Sequence, residues 1–152
     1  MLENYKKHVV ERAEQNIPPL PLDADQTSEL IKLLKEDHKE SDFLLDLLKE
    51  RVPAGVDQAA YVKAAFLADI TTGKASSPYI TKIDAVKILG TMLGGYNIQP
   101  LIECLKDDEL AEAAAHVLSR TLLIFDAFNE IFELSKTNEH AKKVVEEWAN
   151  AT

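Results

Sequence analysis

This sequence has almost no cysteine, and that shortage excludes several kinds of stabilisation and chemistry. Cys104 is the only cysteine in 152 residues, so no internal disulfide can form. An iron–sulfur cluster needs three or four thiolates, so this chain cannot hold one with its own residues. Because Cys104 lies in an apolar pattern with Leu101, Ile102 and Leu105, we expect a small core residue rather than a reactive thiol. A lone thiol also suits a reducing compartment, and the expected location is the cytoplasm.

Long apolar runs are also missing. No stretch approaches the roughly 18 consecutive apolar residues of a membrane span. The charged start at residues 1–7 is not followed by the apolar segment of a signal peptide. The sequence therefore predicts a protein that is neither exported nor inserted into a membrane.

Positive charge is scarce as well. The chain has 17 Lys and Arg residues against 26 Asp and Glu residues, and its net charge of −9 would repel a phosphate backbone. The adjacent pairs Lys6–Lys7 and Lys142–Lys143 are interpreted as solvated helix faces. We therefore do not expect this segment alone to bind DNA or RNA.

What the sequence does contain is ordinary for a folded protein. Apolar residues make up 46% of it and charged residues 28%, far from the composition of disordered chains. A chain of this length buries roughly 68–70% of its unfolded surface. We expect residues 1–152 to form a single domain that folds alone.

Apolar residues recur at helical spacing almost throughout, whereas the alternation typical of strands is nearly absent. The apolar segment 122–128 is expected to be a central helix covered by both neighbours. Spacings of three and four residues predict three buried helix faces: Tyr61, Ala64, Ala65 and Ala68; Leu110, Ala114, Val117 and Leu118; and Ala141, Val144, Val145 and Trp148.

Capping residues, glycines and prolines divide this pattern into helices. Prolines 18, 19 and 21 should end the first helix, and Gly73 should end another. The expected N-caps are Asp23, with Gln26 at capping-box spacing, then Ser41, Asp57, Thr81, Asn97, and Asp107 or Asp108. The predicted helices span residues 2–15, 24–36, 41–50, 58–72, 82–92, 98–106, 108–119, 121–135 and 138–149.

Short connections predict that successive helices fold back as antiparallel neighbours. The expected pairs are 24–36 with 41–50, 58–71 with 82–92, 98–106 with 108–119, and 121–135 with 138–149. Each pair has the roughly 30–45 residues of an α-solenoid repeat. The predicted fold is therefore all-α, with the pairs stacked as a HEAT-like α-solenoid, a right-handed α-α superhelix.

Several residues could carry chemistry, and each has a structural alternative. Glu112 and His116 have the spacing of two metal ligands on one helix, but a surface polar pair is favoured because no second ligand pair appears. Ser119, near His116, lacks the strained turn of a nucleophile. Gly73 and Lys74 resemble the end of a phosphate-binding loop, but residue 68 is alanine where the first glycine should stand.

The remaining candidates are isolated side chains. Helix termination is the expected role of Gly90, Gly94 and Gly95. No ligand or base role is expected for His8, His38 and His140. Two interpretations apply to Tyr79, Tyr96 and Trp148: an aromatic contact surface or, more commonly, positions in the core.

The sequence resembles the aconitase B family over essentially its whole length. The resemblance is most specific in Leu89-Gly90-Thr91-Met92-Leu93-Gly94-Gly95-Tyr96-Asn97-Ile98. Further matching segments are residues 1–8, 44–48, 51–57, 59–64, 100–102 and 118–126, whereas the region from Asp37 to Asp42 departs from the family pattern.

This resemblance implies the HEAT-like N-terminal domain of a longer, multidomain bacterial enzyme. That enzyme interconverts citrate and isocitrate through cis-aconitate in the tricarboxylic acid cycle, and it also hydrates 2-methyl-cis-aconitate. In the family the [4Fe–4S] ligands and the substrate-binding residues lie in later domains. The resemblance therefore implies no catalytic, cofactor-binding or metal-binding residue in this chain, and no activity of the isolated domain.

The role that the resemblance implies is protein–protein contact. The expected partners are the other domains of the same enzyme, a second copy, and other metabolic enzymes. Two alternatives are control of substrate access to the active site and a contribution to messenger RNA binding, against which the net charge of −9 argues.

Overall fold

A computed structural model describes residues 1–121 and 126–151 of the chain. Across these residues the regular secondary structure is helical, and an isolated antiparallel bridge joins Ser77 to Ile80. The prediction of an all-helical fold is confirmed for this part of the chain. The helices are α1 (Leu2–Glu14), α2 (Ala24–Leu34), α3 (Ser41–Asp46), α4 (Gln58–Thr72), α5 (Lys82–Leu89), α6 (Ile98–Cys104), α7 (Ala111–Ser119), α8 (Ala127–Leu134) and α9 (Glu139–Asn150).

Several of the predicted caps form the expected hydrogen bonds. The Gln26 N–H donates to Asp23 Oδ1 at 2.8 Å and the Asp23 N–H donates to Gln26 Oε1 at 3.0 Å, a complete capping box. Thr81 and Asp84 form a second capping box, and Asp57 accepts from the Ala60 N–H at 3.0 Å. These polar side chains satisfy backbone N–H groups that a helix start leaves unpaired.

Two predicted caps are wrong. Ser41 is already helical, and the N-cap is Glu40, whose N–H donates to His38 Nδ1. Asp107 closes a turn instead, because its carboxylate accepts from the Glu109 N–H at 2.9 Å, and α7 begins later, at Ala111. The His38 ring before α3 and the Asp107 carboxylate before α7 each accept from a backbone N–H ahead of the helix start.

The helix predicted over residues 41–50 changes its geometry midway. After α3 the chain continues as a π-helical turn, Leu47–Arg51. Arg51 at its end donates from Nε to the Tyr5 hydroxyl at 3.2 Å and from Nη2 to the Pro19 carbonyl at 2.6 Å. The turn therefore ends at the residue that ties α1 and the proline-rich segment to the rest of the protein.

Asn97 precedes α6 as predicted, but its side chain has another task. Asn97 Nδ2 donates to the carbonyls of Leu89 at 2.7 Å and Met92 at 3.1 Å, which lie at and just beyond the end of α5. The helix predicted to reach residue 92 therefore ends at Leu89, and the buried Asn97 amide satisfies the carbonyls of its fraying end.

The helices contact one another in a regular order. Both members of each predicted pair touch: α2 with α3, α4 with α5, α6 with α7, and α8 with α9. Alternate helices also touch: α2 with α4, α4 with α6, α6 with α8, α5 with α7, and α7 with α9. Gly90 permits the α5–α7 approach, since a Cβ atom there would lie 2.7 Å from the Val117 Cγ1. None of the helices described is both long and apolar enough to cross a bilayer.

Two of the three predicted buried faces are confirmed at their centres, and of the third only Ala64 is buried. Ala141 and Val144 of α9 are fully buried, as are Ala114 and Leu118 of α7. On α4, however, Tyr61 is 52% exposed, and the buried side is instead the one that carries Ala60, Ala64, Leu67 and Ile70. The placement of segment 122–128 in the core is wrong for Phe128, which is 43% exposed, while its residues 122–125 lie outside the described part.

Candidate interaction surfaces

The structure gathers several of the sequence candidates in one groove between α7 and α9. This groove, of about 430 Å³, is lined by Glu112, His116, Ser119, Arg120 and Lys143, among others. Ser119 donates its hydroxyl to the His116 backbone carbonyl at 2.8 Å, so the hydroxyl is not aimed at a base. The groove is a mixed-charge surface feature and lacks a nucleophile–base pair.

The described residues do not fit a metal or cluster site. Among residues 1–121 and 126–151, no three or more His, Cys, Asp and Glu side chains lie close enough to hold an ion. Cys104 is buried in the core, as the sequence predicted. Burial raises the pKa of its thiol, although a hydrogen bond with Thr71 acts in the opposite direction. An iron–sulfur cluster therefore has no partial ligand set in this part of the chain.

The isolated candidates have structural tasks. His8 Nε2 accepts from the Leu20 N–H at 2.9 Å, and His38 Nδ1 accepts from the Glu40 N–H at 3.0 Å. Gly73 has the left-handed conformation, with φ of 79°, and ends α4 as predicted.

Four apolar side chains form an exposed surface beside α4 that we call the tyrosine ridge: Val56, Tyr61, Leu93 and Tyr96. Their exposed fractions are 72%, 52%, 86% and 38% respectively. Single exposed apolar residues are common on folded proteins, but several strongly exposed ones on adjoining segments are characteristic of a binding surface.

Ring and backbone contacts position the tyrosine ridge. The Tyr61 and Tyr96 rings meet edge to face at 5.4 Å, and the Tyr96 hydroxyl donates to the Val56 carbonyl at 2.9 Å. The Leu93 N–H donates to the Ala54 carbonyl at 2.8 Å, which joins the loop after α5 to the loop before α4. These contacts hold the backbone at Val56 and Leu93 and pair the two tyrosine rings.

A second exposed surface, the aromatic strip, crosses α8 and α9 and consists of Phe128, Phe132 and Trp148. The Phe128 ring stacks on Phe132 at 6.2 Å and on Trp148 at 5.6 Å. Phe128 and Phe132 are 43% and 44% exposed, whereas the Trp148 Nε1 donates to the Leu118 carbonyl at 3.0 Å and anchors the strip to α7.

The aromatic surface considered from the sequence therefore has different members. Tyr79 is tied to the backbone of His38, Tyr96 pairs with Tyr61, and Trp148 stacks on Phe128. A signal for the ridge was present in the sequence, because an apolar Leu93 beside Gly94 and Gly95 lies beyond the helix end where no core face continues.

Lys63 is a buried charged residue that the sequence pattern did not reveal. It is 1% exposed on α4, and burial lowers the pKa of its ammonium group to about 8, while Glu50 opposes the shift. Lys63 stands at the same spacing of three and four residues as the buried apolar residues of α4. It differs from them only in being charged, and a charged residue is expected to be exposed.

Over the residues that the structure describes, this is an all-helical protein with exposed apolar surfaces. The model of the aconitate B N-terminal domain family matches residues 4–152, and the chain belongs to that family. It is 56% identical over 153 residues to aconitate hydratase B of Escherichia coli (strain K12), 99% of this chain and 18% of that protein. Identity is 54% to the protein of that name from Synechocystis sp. and 47% to that from Helicobacter pylori (strain J99), covering 98% and 99% of this chain. The chain thus spans 18% of the length of these curated relatives.

Proposed function

We propose that this chain is the interaction and assembly domain of an aconitate hydratase B. In this proposal the parent enzyme is a cytoplasmic [4Fe–4S] hydro-lyase that interconverts citrate and isocitrate through cis-aconitate, and also hydrates 2-methyl-cis-aconitate. The cluster and the reacting groups belong to the rest of the parent protein, because a single buried thiol is all that this chain offers.

The proposed architecture is a HEAT-like solenoid. The contacts between paired and alternate helices support it, since stacked helix pairs touch both the preceding and the following pair. Such a stack exposes long lateral faces, which suits a domain that binds other proteins.

The observation that carries the proposal is the tyrosine ridge. Leu93 and Val56 are exposed although burial of one such side chain is worth roughly 1.5–3 kcal/mol. A group of two aliphatic and two tyrosine side chains resembles the centre of protein interfaces, where aromatic residues are enriched. We propose that this ridge mediates self-association of the domain.

Light scattering coupled to size exclusion, run across a range of concentrations, tests this role. Leu93→Asp should shift the dimer–monomer equilibrium towards monomer by about tenfold or more, because it places a charge in an apolar contact. Val10→Asp is the matched control, since Val10 is also exposed (57%) but lies on α1. A wild-type chain that stays monomeric at all concentrations, or equal effects of the two variants, would contradict the proposal.

The groove between α7 and α9 favours a second candidate, control of substrate access. Arg120 and Lys143 line the groove together with Glu112 and Glu147, and in this second proposal the two cationic side chains bind the carboxylate groups of citrate and isocitrate. In the intact enzyme, Arg120→Gln with Lys143→Gln should raise KM at low salt and leave kcat unchanged. Lys136→Gln, in the turn after α8, is the control, and unchanged KM in the double variant would exclude this role.

A further inference from the structure

The aromatic strip lies at the end of the helix array. Phe128 and Phe132 are four residues apart and lie one above the other on α8, beside Ile131, which is fully buried. Helix α8 packs on α6 and α9, and α9 packs on α7 and α8. Among the described residues, these last two helices therefore have neighbours from the preceding pair but none from a following one.

An exposed aromatic end is unusual for a stack of helix pairs. Terminal repeats that face water carry a polar outer surface, because an apolar end would promote aggregation. Phe128 and Phe132 are instead 43% and 44% exposed, and their rings stack into one continuous patch with Trp148. This composition fits a face that another element covers.

The relatives indicate what covers it. This chain matches 18% of the length of aconitate hydratase B, and the matching family model describes an N-terminal domain. In such a protein the polypeptide leaves α9 after Asn150, within one turn of Trp148. A segment that emerges there reaches Phe128 across a short loop, and closing a short loop costs little entropy.

We infer that the aromatic strip binds the polypeptide that follows this domain in the full-length enzyme, through apolar side chains of that following segment. Burial of the two phenylalanine faces stabilises the junction, because aromatic rings lose much apolar surface to water on packing. Lys136 lies 5.6 Å from the Phe132 ring and pairs with Glu133 at 2.8 Å, so a charged rim borders the strip. This inference rests on the proposed parentage but not on self-association through the ridge.

Hydroxyl-radical footprinting with mass spectrometry tests it on the full-length enzyme and on residues 1–152. Oxidation of Phe128 and Phe132 should be about fivefold or more slower in the full-length enzyme, because covered rings no longer meet radicals in water. Val10 on α1, which is 57% exposed, is the internal control and should react equally in both proteins.

The outcomes separate the alternatives. Both proteins are kept at concentrations at which light scattering finds only monomer. The footprinting result therefore does not depend on whether the tyrosine ridge mediates self-association. Equal oxidation of the two rings in both proteins would overturn the inference. In a separate series at increasing concentration, protection of the two rings that appears only as concentration rises would also overturn the inference, since the occupant would then be a second copy. A Phe132→Ser variant of the full-length enzyme should expose its inter-domain junction to limited proteolysis, whereas Leu93→Ser should not.

Discussion

Gly94 lies directly against the backbone of Gly55, so closely that a Cβ atom built on Gly94 would stand 1.9 Å from the Gly55 carbonyl oxygen. This contact joins the loop after α5 to the loop before α4, and the Gly94 N–H donates to the Ala54 carbonyl at 3.2 Å beside it. The tyrosine ridge depends on it, because Val56 and Leu93 are the neighbours of these two glycines. The sequence suggested helix termination for Gly94, but α5 has already ended at Leu89, and close backbone approach is the constraint.

Gly94→Ala should therefore destabilise the protein by about 2–3 kcal/mol, as expected when atoms are forced into packed backbone. Urea denaturation measures the free energy of unfolding. Gly55→Ala is the matched control, since a Cβ atom there meets nothing within 4 Å, and its effect should stay within about 0.5 kcal/mol. Equal losses of unfolding free energy in the two variants would show that the backbone contact between Gly94 and Gly55 is not tight.

Lys63→Met should stabilise the protein at neutral pH by about 1–3 kcal/mol, because it removes a buried charge. The pKa of Lys63 is lowered to about 8 in the folded chain from 10.5. Between these values the unfolded state binds more protons, so the stability of the wild type rises with pH in that window. The advantage of the variant is therefore full below pH 8 and fades towards pH 10.5.

The control for this prediction is Lys32→Met on α2, whose side chain is exposed. It should change the free energy of unfolding by no more than about 0.5 kcal/mol and leave its pH dependence intact. Urea titrations from pH 7 to pH 10.5 give both quantities. A Lys63 variant that follows the wild-type pH profile in parallel would show that the ammonium group is solvated.

Thr81→Ala should cost about 1 kcal/mol, because the hydroxyl accepts from the Asp84 N–H at the start of α5. Ser41→Ala should cost much less, since Ser41 is helical and α3 begins without a side-chain cap. Thermal unfolding of the two variants compares the caps directly. A larger loss from Ser41→Ala would mean that the sequence-based assignment of Ser41 as a cap was right after all.

Arg51→Met should release α1 without unfolding the core. Both hydrogen bonds of the Arg51 side chain go to the N-terminal segment, to the Tyr5 hydroxyl and the Pro19 carbonyl. Amide hydrogen exchange over residues 2–14 should become faster, while exchange in α4 and α7 stays as in the wild type. Arg12→Met is the control because Arg12 donates to the Pro18 carbonyl, which is close to it in sequence, and uniform acceleration throughout the chain would contradict the prediction.

Much of the helical plan follows from the sequence alone, because its signals are local. The capping boxes at Asp23 and Thr81, the left-handed Gly73 and the prolines after α1 act within a few residues of themselves. The resemblance to the aconitase B family was likewise carried by short runs of letters, and the family match confirms it. The pairing of successive helices followed from the shortness of the connecting loops.

The surfaces depended on tertiary structure, because exposure is set by what the other helices cover. The spacing of Tyr61, Ala64 and Ala68 predicted a buried face, yet only Ala64 of these three is buried, because α2, α5 and α6 cover a side of α4 that leaves out Tyr61 and takes in Lys63. Phe128 has the pattern of a core residue, yet it is 43% exposed, because α6 and α9 bury Ile131 of α8 and leave part of the Phe128 ring uncovered. Helix positions are thus encoded by neighbouring residues, whereas the faces that remain free to bind are decided by long-range packing.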